Sequence, residues 1–136
     1  MNLLLDTNVF LDWLLKRNEN QENAEKLVSY CISGKVNGFV TSHSLADFFY
    51  IIRKHFSTED RRQLLLFLVS GFSIIIEDKS MFLTALNSEN FFDLEDGLQM
   101  ACAEKAHLDY IVTQNLKDFI SSPVTAISIA ECLTRI

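Results

Sequence analysis

The apolar run Leu3-Leu4-Leu5 stops abruptly at Asp6, Thr7 and Asn8, and a helical spacing of apolar residues (Val9, Phe10, Trp13, Leu14) begins at once. Three successive leucines without polar alternation read as a strand buried on both faces, as in a parallel sheet covered by helices. A strand that passes straight into a helix requires a βαβ-type chain path. It also carries the Asp6 carboxylate to the strand's C-terminal end, where open α/β sheets bind their ligands.

The rest of the chain repeats this alternation. A helix is predicted over 8–16 and a second over 21–33, with Ala24, Leu27, Val28 and Cys31 as its apolar stripe and Gly34 as its stop. Gly38-Phe39-Val40 reads as a strand and 43–55 as a helix with Leu45, Phe48, Phe49 and Ile52 inward. Thr58 is the expected cap of a helix over 59–69, closed by Gly71. Ser73–Ile76, Tyr110–Val112 and Val124–Ile127 complete a set of about five strands, with helices at 79–87, from Asp93 to His107, and at 128–134. Asn115–Phe119 reads as a loop or short helical turn. The fold class is therefore α/β, with a mostly parallel sheet and helices on both faces. With 136 residues, no repeat and no linker, residues 1–136 form a single domain.

Composition narrows the function classes. No apolar stretch reaches the roughly 18–20 residues of a membrane span, and the N-terminus lacks the basic flank of a signal peptide, so a cytoplasmic protein with no membrane partner is expected. Cys31, Cys102 and Cys132 are far apart and in apolar contexts, which predicts reduced core thiols rather than a metal knuckle. The formal net charge of −6 is an awkward balance for a nucleic-acid protein, whose affinity comes from neutralising phosphate. Bound divalent cations would offset clustered carboxylates. Basic residues are also grouped, at Lys16–Arg17, Arg53–Lys54–His55 and Arg61–Arg62, although such groups are often solvated helix faces.

Four acids fall at the ends of strands or the starts of helices: Asp6, Asp47, Asp96 and Asp118. In a parallel sheet those ends share one edge, so residues remote in sequence can meet there. Each has a structural explanation of its own. Asp6 can cap a helix, Ser44-x-x-Asp47 and Asp93-x-x-Asp96 can be capping boxes, and Asp118 can cap a turn. The set is more telling than its members. Carboxylates gathered in one pocket repel each other unless a hard cation joins them, and Mg²⁺ or Mn²⁺ so held activates water for phosphodiester hydrolysis. Asn8, Thr113 and Asn115 are neutral groups able to orient those carboxylates or a water.

The set resembles the PIN domain, a fold of small metal-dependent ribonucleases that includes the VapC-type toxins of toxin–antitoxin pairs. "LLLDTNVFLDWLLKR" is similar to the family's opening, and Asp6 matches its first metal-binding acid. "SHSLADFFYIIRK" resembles the second segment, with Asp47 where the family usually has Glu. "DLEDGLQMACAEKAHLDYIVTQNLKDF" resembles the remaining segments, with Asp96 at the third acid. Two departures stand out. Asp47 is one methylene shorter than Glu, and Asn115 occupies the usual place of the fourth acid, so that either Asp118 takes over or the site runs on three carboxylates. Glu95 neighbours Asp96, but adjacent helical side chains point about 100° apart, and Asp96 holds the motif position. The resemblance implies a three-layer α/β/α PIN-like fold. It also implies catalysis by Asp6, Asp47, Asp96 and Asp118, with Mg²⁺ or Mn²⁺ on Asp6, Asp96 and Asp118. An RNA substrate, a homodimer and a cognate antitoxin follow from the same likeness.

Other residues fit less specific readings. Arg53 and Lys54 are the candidates for RNA backbone contact. His43 can meet phosphate or simply start a helix, and His55 and His107 have no ligand spacing. Trp13 and Phe48-Phe49-Tyr50 can stack bases, but their helical spacing is that of a core or dimer face. Two further functions compete with the nuclease. One is a haloacid-dehalogenase-type phosphohydrolase, which wants Asp-x-Asp where this chain has Asp6-Thr7-Asn8. The other is a PIN-like scaffold or RNA-binding protein with little catalysis.

Overall fold

The computed structural model describes residues 1–16 and 18–136. Five strands, β1 (Asn2–Leu5), β2 (Asn37–Thr41), β3 (Ser73–Ile75), β4 (Tyr110–Val112) and β5 (Ala126–Ile127), form one sheet in the order β3-β2-β1-β4-β5. Every pairing is parallel; Leu3 lies opposite Gly38 on one side and Tyr110 on the other. The chain first builds outward from β1 through β2 to β3 and then returns to the opposite side of β1 for β4 and β5. The direction of winding thus reverses between β1 and β4, the place where such sheets leave a crevice beyond their C-terminal ends.

Side-chain alternation along the strands separates the two faces. Leu3, Leu5, Val40, Val112 and Ile127 belong to the main core. Leu4, Phe39, Ile111 and Ala126, one step out of phase, belong to a second core on the other face. The main core is covered by α1 (Thr7–Leu15), α2 (Gln21–Ile32), α3 (Ser42–Ile51), α4 (Thr58–Gly71) and α7 (Ile129–Arg135). The opposite face carries α6 (Leu94–Lys105), against which α5 (Lys79–Leu86) packs through Met81, Ala85, Leu98, Ala101 and Cys102. The result is the three-layer α/β/α arrangement expected.

Local corrections are small and have physical causes. Ser57, not Thr58, caps α4: its side chain accepts from the Asp60 N–H, and Thr58 is the first helical residue. The predicted helix over 43–55 ends at Ile51 and tightens into a 3-10 turn, Ile52–Lys54. The last strand is only Ala126–Ile127. Gly34 closes α2 as expected, at φ +75°. At Gly38 a Cβ would lie 2.6 Å from the Phe72 ring and 2.8 Å from Cys31 Cβ, so the close seating of α2 and Phe72 on β2 needs glycine there. The three cysteines are buried free thiols, as predicted. Burial first of all pushes Cys31 and Cys102 up to about 12 and Cys132 to about 11. No helix among the described residues is long and apolar enough to cross a membrane.

Candidate active site

Asp6 closes β1 and caps α1 in one residue. Its backbone N–H donates to Val112 O (3.0 Å), tying it to β4 across the winding reversal. Its carboxylate is 8% exposed and accepts four hydrogen bonds. The Thr7 N–H (2.8 Å) and Gln99 Nε2 (3.1 Å) reach Oδ1. Asn8 Nδ2 (3.1 Å) and Thr113 Oγ1 (2.8 Å) reach Oδ2. Asn8 thus ties the acid to the first turn of α1. Its Oδ1 also accepts from the Gln114 N–H (3.2 Å), which seats the loop after β4 on α1. Thr113 Oγ1 accepts in turn from the Asn115 N–H (3.0 Å), so Asn115 contributes to the site through its backbone.

The other acids arrive from three further elements. Asp93 caps α6 by accepting from the Asp96 N–H (3.1 Å), which places Asp96 in the first turn. Asp118 lies in the 3-10 turn Leu116–Phe119 that follows β4. Asp47 is the sixth residue of α3 and caps nothing; Thr41 caps that helix by accepting from the Ser44 N–H. The capping explanation thus holds for Asp6 and Asp93 but fails for Asp47 and Asp118.

Electrostatics shows which acids meet. Burial first, and then the charges of Asp93, Asp6 and Asp118, together raise the Asp96 carboxyl to about 6. Asp96 and Asp118 also line one cleft of about 270 Å³, with Asp93, Phe91, Phe92 and Pro123 on its walls. Asp47 joins by another route. It hydrogen-bonds the Glu95 carboxyl, which is raised to about 7 by that bond first, then by burial and by the Asp47, Asp93 and Asp96 charges. Glu95 therefore faces Asp47 while Asp96 faces Asp6 and Asp118.

A carboxyl whose folded pKa exceeds its unfolded value stabilises the fold at low pH and loses that contribution as pH rises through the folded pKa. Without divalent ions, the melting temperature should therefore fall as pH rises from 5 to 8, through the Asp96 and Glu95 values. Added Mg²⁺ should recover more of it at pH 8 than at pH 5. Thermal unfolding monitored by circular dichroism measures both, and a flat profile would contradict the crowding of these acids.

The donor set suits a hard divalent cation in type and charge: carboxylate oxygens, crowded enough to resist ionisation. Among the described residues, however, no three His, Cys, Asp or Glu side chains are arranged as a ready ligand group. Asp6 already has a donor at each of its four lone-pair positions, so an ion can reach it only as one donor turns away.

The expected substrate cations stand apart from the cleft. Arg53 and Lys54 follow Asp47 by six and seven residues and lie past the end of α3, in the 3-10 turn Ile52–Lys54. Arg53 lies 3.7 Å over the Tyr50 ring and donates to Tyr50 O (2.9 Å), while Lys54 is exposed. In the Lys16–Arg17 pair, Arg17 lies outside the described residues. His43 bonds Glu77 through Nδ1, and Ser42 Oγ bonds the same carboxylate, so His43 is tied into the start of α3. Trp13 stacks on Phe67 and Phe48 is buried, the packing role their spacing suggested.

Three polar residues escaped the sequence reading. Gln99 is 1% exposed and joins Asp6 to the start of α3. Asp12 is fully buried and accepts from Gln114 Nε2 (2.9 Å) and Asn18 Nδ2 (2.8 Å). Glu77, just past β3, holds Ser42 and His43. Asp12 carries a faint signal, since it falls one turn after Asn8 on α1. The other two carry none.

A strand-end aspartate at the winding reversal, facing acids from α6 and from the turn after β4, is the layout expected of one family, and the chain matches it over residues 2–117. The chain belongs to the PIN domain family. No curated protein matches it. Among solved structures it is similar to a toxin–antitoxin complex from Klebsiella pneumoniae, at 20% identity and TM-score 0.70, covering 93% of this chain and 97% of that one. It is equally similar to VapBC2 from Rickettsia felis bound to a promoter DNA fragment, at 19% identity and TM-score 0.70, covering 94% and 98%. The Mycobacterium tuberculosis toxin VapC20, which cleaves the sarcin–ricin loop, aligns at 10% identity and TM-score 0.63, covering 80% and 86%. At these identities the likeness establishes the PIN fold. The haloacid-dehalogenase alternative falls with it: Asn8, in the place of the second carboxylate, serves as a donor to Asp6.

Proposed function

We propose that this PIN-domain protein is a divalent-metal-dependent endoribonuclease, the toxin of a type II toxin–antitoxin pair acting in the cytoplasm. The observation that carries the reading is the approach of Asp6, Asp96 and Asp118 from three separate elements at the winding reversal of the sheet, close enough for their charges to hold back the ionisation of Asp96. Asp6, Asp96 and Asp118 would hold Mg²⁺ or Mn²⁺, with Asp47 supporting through Glu95. When bound, the ion supplies a nucleophilic water at neutral pH and charge stabilisation for the leaving oxygen.

The chain's own residues do the positioning. Asn8 and Thr113 fix the rotation of the Asp6 carboxylate. Asn115 is held beside it by the Thr113 hydroxyl, where its amide can orient a water. Phe91 and Phe92, exposed on the cleft wall, offer faces on which unstacked bases can rest. Arg53 and Lys54, beyond the end of α3, would meet phosphates of an RNA that runs past the cleft. A homodimer and an antitoxin whose segment enters the cleft complete the reading, and the likeness to toxin–antitoxin complexes supports the antitoxin.

The deciding experiment incubates the purified protein with a mixed RNA pool in Mg²⁺, in Mn²⁺ or in chelator, and maps new ends. Cuts at defined sites that require the metal are expected. RNA retained without cleavage in either metal would instead favour a non-catalytic RNA-binding scaffold, which the filled lone pairs of Asp6 and the neutral Asn115 also suit.

A further inference from the structure

We propose that Gln99 is the positioning residue of this site: its buried amide fixes Asp6 from behind through Oδ1 and leaves Oδ2 as the oxygen that Asp6 turns toward the cation. The inference rests on the metal-dependent reading above.

Gln99 lies three residues after Asp96 on α6, so both occupy one helix face. Its Nε2 donates to Asp6 Oδ1 (3.1 Å) and to Ser44 Oγ (3.1 Å), and its Oε1 accepts from Thr41 Oγ1 (3.0 Å). The Thr41 and Ser44 hydroxyl oxygens are 2.9 Å apart. One proton arrangement satisfies all of them: Gln99 Nε2 to Ser44 Oγ, Ser44 Oγ to Thr41 Oγ1, and Thr41 Oγ1 back to Gln99 Oε1. The amide orientation is dictated too, because a carboxylate only accepts, so the NH₂ and not the carbonyl must face Asp6. Thr41 and Ser44 are fully buried, so water cannot substitute for any member of this closed ring. The ring binds the C-terminal end of β2 and the first turn of α3 to α6. Its one remaining N–H points at Asp6.

The four donors to Asp6 are therefore unequal. The Thr7 N–H is part of the helix cap, Gln99 is locked in the ring, and the Asn8 amide is held at its other end by the Gln114 N–H. The Thr113 hydroxyl alone can release Asp6 by rotating about a single bond while still accepting from the Asn115 N–H. It sits on Oδ2, on the β4 side that leads to Asp118. Oδ1 keeps both of its bonds, while Oδ2 keeps the Asn8 amide and gives up one lone pair.

The test measures Mn²⁺ binding by titration calorimetry, together with thermal unfolding in chelator, for the intact protein and for Gln99→Leu, Thr41→Val and the double variant. Removing groups that orient a metal ligand typically weakens binding about 10–100-fold. Gln99→Leu should fall in that range. Thr41→Val touches no acid, and should give a smaller loss that vanishes when Gln99→Leu is already present. Both losses should exceed what the fall in melting temperature alone accounts for, with the variants folded at the titration temperature. Folded Gln99→Leu binding Mn²⁺ as tightly as the parent would overturn the inference while leaving the nuclease reading intact. Should Gln99→Leu not fold, unchanged Mn²⁺ affinity in Thr41→Val would overturn it instead. A parent protein that binds no Mn²⁺ would sink both.

Discussion

Asp6→Asn is expected to leave the protein folded and to lower metal-dependent RNA cleavage at least about a thousand-fold, the scale of several kcal/mol of lost charge stabilisation. The fold should survive for a local reason. Asn is as good a helix cap as Asp. Its amide oxygen can keep the Thr7 and Gln99 bonds, which leaves its NH₂ on the Oδ2 side. There the Thr113 hydroxyl can turn from donor to acceptor, and only the Asn8 amide is left facing another donor. Asp96→Asn should lose activity on a similar scale and should also relieve the charge crowding, raising the melting temperature in chelator at pH 8. Cleavage of a labelled RNA that responds to the metal, compared with circular dichroism of each variant, measures both effects. Either variant cutting at the parent rate would remove its carboxylate from the mechanism.

Phe10→Ala should be the most damaging single truncation for stability. The ring is 1% exposed and packs edge-on to Phe72 (centroids 5.3 Å) and tilted against Phe48 (5.9 Å), under β1 and β2. Removing it from a packed core costs about 3–5 kcal/mol. That is a large share of the roughly 5–15 kcal/mol that holds a domain folded. The melting temperature should drop by about 10–18 °C. Phe92→Ala is the contrast: the ring is 89% exposed, and its loss should change stability by no more than about 0.5 kcal/mol. Denaturant titration of both variants gives the comparison.

The architecture was legible because its signals are local. Leu3-Leu4-Leu5 can be apolar at every position only in a strand covered on both sides, and Asp93, Gly34 and the strand Tyr110–Val112 announce themselves within a few residues. Ser57 and Thr58 are both good caps and adjacent, so nothing local separates them. The aspartates were readable by their place at strand ends and by family resemblance. Their support was not. Gln99 is an amide within Leu-Gln-Met-Ala-Cys-Ala, and its partners Asp6, Thr41 and Ser44 lie 93, 58 and 55 residues away. Glu77 and His43 find each other only because β3 lies beside β2. Ser44-x-x-Asp47 has the form of a capping box, yet Ser44 turns inward to the ring around Gln99 and Thr41 takes the cap. Pairings between distant segments exist only once the sheet order is known.

The three buried sulfhydryls give the molecule a built-in gauge of its own opening. The thiolate is the species that alkylating reagents attack, and burial suppresses it at all three positions. Labelling therefore proceeds only when the surrounding packing parts. Cys31 sits on α2 and Cys132 on α7, over the main core, whereas Cys102 sits on α6 across the sheet, one turn beyond Gln99. Mass spectrometry of the labelled peptides would resolve breathing of the two layers in one sample. It would show whether the layer that bears Asp96 loosens ahead of the rest.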